Sequence, residues 1–187
     1  YPSVRSTIGT GTVNRTRTTL ILHAQYAESN GFATFYMRRM EWYNTPPQLS
    51  FGGPADWYQT LAVHEFRHIC QFDSLNTGFV AGLSFALGDL GQAIGIALVP
   101  AWYYEGDSVL TETVYSNTGR GRKAAFDAEL RALLLDGKRY SYYKAMLGSY
   151  SDYDPLESPY LLGYHMTAQI RKERSWRDVE RVKYFRS

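Results

Sequence analysis

Apolar, β-branched and aromatic residues gather in two runs near the start of the chain, Leu20 to Tyr26 and Phe32 to Arg39, with Glu28-Ser29-Asn30-Gly31 between them. This pattern predicts a strand, a turn and a strand, and so a small N-terminal sheet. Thr45-Pro46-Pro47 and Gly52-Gly53-Pro54 punctuate the chain after these runs, and Pro54 is placed to open a helix through Trp57, Leu61, His64 and His68. Ala62 and Phe66 keep helical spacing around these positions. Phe79 to Val99 is the most apolar stretch, interrupted by Asp89 and Gln92 and loosened by Gly82, Gly88, Gly91 and Gly95. A charge near its centre is expensive in lipid, so the stretch reads as a buried or cleft-lining helical hairpin rather than a membrane span. A membrane-surface contact through Phe79 to Val99 is the alternative.

Pro100 starts the next predicted helix, which carries Trp102, Tyr103, Glu105, Val109 and Glu112 before Asn117 and Gly119 stop it. Further helices are expected at Ala124 to Leu135, Pro159 to Arg171 and Trp176 to Tyr184, while the Tyr-rich Tyr140 to Tyr153 segment reads as aromatic packing and loop. The expected class is α+β: one domain of 187 residues with a sheet lobe (1–53), a central helical part (54–118) and a helical C-terminal lobe (119–187).

Composition narrows the partners. A net charge of +2 from 20 basic and 18 acidic residues, mostly interspersed, gives no broad cationic field, and nucleic acid is not an expected partner. The basic clusters at Arg120, Arg122 and Lys123 and from Arg171 to Arg186 read as a solvated loop and a solvated helix face. Cys70 is the only cysteine, so an intrachain disulfide and a cysteine-ligated zinc site are both excluded. The opening residues Tyr1 to Thr19, with Arg5, Arg15 and Arg17, lack the apolar core of a secretory signal.

His64-Glu65-Phe66-Arg67-His68 is a complete H-E-x-x-H motif. Residues four apart share one helix face, so both imidazoles can reach one zinc ion while Glu65 lies beside a coordinated water. A catalytic site needs a third protein ligand. His23 belongs to a predicted strand and His165 to a late helix, without neighbouring ligand signatures, so a carboxylate is the expected third ligand.

The segment Trp102-Tyr103-Tyr104-Glu105-Gly106, with Glu112 seven positions after Glu105, resembles the second active-site helix of gluzincin metallopeptidases of the thermolysin and aminopeptidase N clan. The resemblance implies a zincin-like fold, zinc held by His64, His68 and Glu105, and Glu65 as general base in peptide hydrolysis. Glu112, two helical turns from Glu105, is placed to support a ligand. Pro159-Tyr160-Leu161-Leu162-Gly163 is similar to the P-Y-x-x-G segment of the aminopeptidase N relatives, which implies Tyr160 as the donor to the developing oxyanion, with Tyr164 and His165 next in line. Asn30 to Thr34, the Pro-Pro pair and the Trp before the motif are also similar to bacterial extracytoplasmic peptidase domains that form parts of longer proteins; the likeness spans roughly residues 20 to 170. In one departure, 36 residues separate His68 from Glu105, and the apolar stretch accounts for the excess. Met40-Glu41 matches the aminopeptidase amine-anchoring segment poorly, so an endopeptidase acting on peptides or proteins is the expectation. A non-catalytic binding or assembly module keeping the same fold is the competing one.

Overall fold

The computed structural model describes residues 17–45, 57–147, 159–175, 178 and 179. The predicted helix start at Pro54, the Pro46-Pro47 pair, most of the Trp176 to Tyr184 helix and residues 148–153 of the Tyr-rich segment lie outside them. Among the described residues the class is α+β, with one small sheet and seven α-helices.

The sheet contains β1 (Thr19–His23), β2 (Gly31–Thr34) and β3 (Arg39–Tyr43) in the order β1-β3-β2. The first two strands therefore do not form the expected hairpin. β3 lies between them, parallel to β1 and antiparallel to β2. Two local features account for this. The second apolar run stops at Thr34 because Tyr36–Arg38 forms a 3₁₀ turn in which Met37 (φ 57°) and Arg38 (φ 47°) are left-handed, and this turn sends β3 back along β2. Trp42 of β3 is also the buried strand residue and packs against Leu61 and Ala62, which draws β3 to the centre.

Helix α1 (Trp57–Leu75) is buried around much of its circumference, pressed between the sheet and α4 (Ala101–Tyr115). Such a helix needs partners for its polar groups as well as its apolar ones. Arg67 and Asp107, both 0% exposed, join the two helices through an Nε to Oδ2 bond of 2.7 Å. Gln71 adds bonds from Nε2 to the same oxygen (2.7 Å) and to the Tyr104 carbonyl (3.1 Å). Asp107→Ala, which removes the carboxylate bonded to a buried guanidinium, is expected to cost about 3–5 kcal/mol in denaturant unfolding. A midpoint unchanged from wild type would contradict that role.

Between α1 and α4, α2 (Gly78–Leu87) and α3 (Asp89–Ala97) form the predicted helical hairpin, turning at Gly88 with φ +61°. The hairpin is not buried. Phe79 is 75% and Phe85 95% exposed, and α2 contributes no buried residue. The body grips α3 rather than α2: Gln92 donates to the Phe72 carbonyl, and Ile96 packs on the cluster of Leu75, Tyr103 and Tyr104. α2 packs mainly on α3 and stands outside it. No helix among the described residues is long and apolar enough to cross a membrane.

After α4 come a 3₁₀ turn at Arg120–Arg122, then α5 (Ala124–Leu135), α6 (Tyr142–Leu147) and α7 (Pro159–Glu173). α7 crosses α4 at backbone contact: a methyl group on Gly163 would lie 1.9 Å from the Trp102 carbonyl oxygen, and one on Gly106 2.0 Å from the Gly163 carbonyl carbon. Only glycine at both positions permits this approach.

Candidate metal centre

α1 places His64 and His68 one turn apart on the face that meets α4, and α4 delivers Glu105 opposite them. The two Nε2 atoms are 3.2 Å apart. Glu105 Oε2 lies 3.3 Å from His64 Nε2 and 3.5 Å from His68 Nε2. Four ligands held tetrahedrally at 2.0–2.1 Å from a zinc-sized ion are separated from one another by about 3.3–3.4 Å. The three donor atoms thus already form one face of such a tetrahedron, and the cluster can hold a metal ion.

Each imidazole is oriented through its other nitrogen. His64 Nδ1 lies 2.9 Å from Glu112 Oε2, and His68 Nδ1 lies 2.8 Å from Gln71 Oε1 and 3.3 Å from Ser108 Oγ. With a proton on Nδ1, each Nε2 keeps its lone pair for a ligand bond. Arg120 Nη2 is also 2.9 Å from His64 Nδ1, but two donors cannot bond each other, and the guanidinium's acceptor there is Glu112 Oε2 at 3.1 Å.

The charges are strongly coupled. Burial and the Arg120 charge push the His64 imidazolium towards losing its proton, yet bonds to Glu105 and Glu112 outweigh both and raise its pKa to about 9. Burial acts against an ionised Glu105, but the two histidines hold its pKa well below the ordinary carboxylate range. Glu112 is fully buried, which opposes ionisation, and Arg120 followed by His64 brings its pKa down to about 2. A group that binds a metal ion must first shed its proton.

Glu65, the neighbour of His64, is buried, and its Oε2 has no hydrogen-bond partner among the described residues. A buried carboxylate oxygen without a donor is costly unless something at the site approaches it. Together with two imidazoles and a carboxylate at ligand spacing, it fits a metal with an open coordination position.

A cavity of about 480 Å³ reaches the His64 and Glu65 side of this group; it is also lined by Glu112, Arg120 and Tyr160 and walled by apolar residues such as Leu61 and Phe126. No family model matches the chain, and neither does any curated protein or solved structure. Tyr160 enters from the start of α7, its ring nearly parallel to that of His64 with centroids 6.2 Å apart. Burial, then the Glu105 charge, raises its phenol pKa to about 12, so the hydroxyl keeps its proton and remains a donor.

Other sequence candidates are engaged elsewhere. Tyr164 packs against Phe126 and approaches the Gly121 carbonyl, His165 pairs with Asp127 at 3.0 Å, and His23 pairs with Glu41 at 2.8 Å. Glu41 is also bonded to Arg39. Arg120 is the residue that sequence reasoning missed. Rather than standing in a solvated loop, it folds back onto Glu112, with its side chain only 20% exposed. The signal available was the Glu105 to Glu112 spacing: a second carboxylate on the buried face of that helix requires a cation nearby.

Proposed function

We propose that the chain is a zinc-dependent peptidase of gluzincin type, with a zincin-like fold, in which His64, His68 and Glu105 hold the metal. The observation that carries this reading is the conjunction of three donor atoms at tetrahedral spacing with the buried Glu65, whose Oε2 has no partner among the described residues and which lines a cavity together with His64. Two histidines and one carboxylate with an open position favour zinc in its catalytic role. When bound, zinc supplies a Lewis acid and makes a coordinated water acidic near neutral pH. Glu65 accepts the water's proton and delivers it to the departing amine. Tyr160 donates its hydroxyl hydrogen to the substrate oxygen as charge develops there.

Purified protein should carry about one zinc per chain and cleave members of a broad peptide library. Chelation should stop cleavage and added zinc should restore it. Protein that binds no zinc, or zinc-loaded protein inactive throughout the library, would overturn the proposal, the latter in favour of a non-catalytic assembly module. Tyr160→Phe removes only the hydroxyl, and is expected to lower kcat about a hundredfold with zinc content unchanged and KM little affected. The same loss in Tyr164→Phe instead would transfer the role.

The exposure of Phe79 and Phe85 favours one further reading for that part of the chain, contact with a membrane surface. Flotation with liposomes should then be lost when both phenylalanines are replaced by Ser.

A further inference from the structure

Arg120 touches more of the site than any ligand requires. Its backbone N–H and its Nε both donate to Glu112 Oε1, at 3.0 and 2.8 Å, and its Nη2 donates to Oε2 at 3.1 Å. The carboxylate is therefore held by a planar fork and a main-chain amide together. Oε2 is the oxygen that faces His64 Nδ1. On its other side the guanidinium lies over the Tyr160 ring, 4.9 Å from Cζ to the ring centroid, and that ring lies against His64. Arg120, His64 and Tyr160 thus make a closed triangle, with Glu112 along one edge.

The turn that presents Arg120 is fitted to this task. A methyl group on Gly119 would lie 2.4 Å from Thr113 Cα, and one on Gly121 2.4 Å from Tyr164 Cζ. The chain on either side of Arg120 is seated directly on α4 and α7, the helices that carry Glu112 and Tyr160. Arg122 pins the turn further through Nε bonds to the Thr113 and Ser116 carbonyls.

We infer that Arg120 is a positioning residue that orients two functional groups at once: His64, by fixing the Glu112 oxygen that accepts from Nδ1, and Tyr160, by packing its guanidinium over the ring. The role rests on the zinc reading. A His64 ring free to rotate, or carrying its proton on Nε2, presents no lone pair to a metal, so the fork acts on metal affinity without touching the metal. The ring contact acts on the chemical step, because a phenol displaced by even about 1 Å misses the developing charge.

The test is a double-mutant cycle on zinc affinity, measured by competition with a chromophoric chelator, for wild type, Arg120→Gln, Glu112→Gln and the double variant. Each single change is expected to weaken zinc about 10–100-fold, and the double variant should be no weaker than Glu112→Gln alone, because Arg120 acts through Glu112. Arg120→Lys, which keeps the charge but lacks the fork, should bind zinc nearly as weakly as Arg120→Gln, and it secures the test if Arg120→Gln does not fold. At saturating zinc, Arg120→Gln should still show kcat reduced about tenfold or more with KM little changed, and this loss should vanish in a Tyr160→Phe background. Wild-type affinity in folded Arg120→Gln, full rescue by Lys, or additive effects in the double variant would overturn the inference while leaving the zinc site standing. Wild-type protein that binds no more zinc than His68→Ala would instead remove the zinc reading and this inference with it.

Discussion

Glu105→Ala is expected to yield folded protein that retains almost no zinc at micromolar free metal and hydrolyses nothing. Two histidines alone leave half the coordination sphere to water, and the third donor closes the face seen in the 3.3 and 3.5 Å approaches of Oε2 to the two imidazoles. Metal analysis after gel filtration, beside His68→Ala, measures this directly. Full occupancy in Glu105→Ala would mean that another group supplies the ligand. His165, Asp107 and Glu112 would be the next candidates, although each would have to leave its present partner: Asp127 for the first, Arg67 and Gln71 for the second, His64 and Arg120 for the third.

Glu65→Gln should behave in the opposite way. Zinc content and KM should stay near wild type while kcat falls by about a thousandfold, since an amide cannot take the water's proton. A second readout separates this from structural damage. Because Oε2 is buried without a donor among the described residues, exchanging the carboxylate for an uncharged amide should leave the melting temperature unchanged or raise it. Near-normal turnover in zinc-loaded Glu65→Gln would remove this residue from the chemistry.

How far the site can be read from the sequence depends on the distance over which each interaction acts. The pairing of His64 with His68 is a consequence of helical pitch and is legible within five residues. Glu105 is 37 positions beyond His68, and nothing local connects them; only the Trp102 to Gly106 resemblance pointed to it. Arg120 was not legible, because Arg120, Arg122 and Lys123 form a basic run of the kind usually found in water, and the buried acceptor for Arg120 lies on another element. The helical hairpin was legible as an element but not in its burial. Its composition demands cover, whereas the body contacts chiefly α3 and leaves Phe79 and Phe85 outside. Strand order was not legible for a similar reason: Arg-Met-Glu-Trp-Tyr in β3 has little of a central strand's composition, and its place follows from the anchor at Trp42.

The paired glycines where α4 meets α7 set the spacing between Glu105 and Tyr160, the proposed ligand and proposed donor on different helices. Glu105 precedes Gly106, and Tyr160 stands three residues before Gly163, so the helices bearing ligand and phenol are registered by main chain against main chain. Side-chain packing can slip by changing rotamers; a backbone contact has no such slack. The contact between α4 and α7 therefore leaves the two helices little room to slide past each other. Asn30 and Gly31, at the start of β2, border the same cavity as Tyr160 from the sheet.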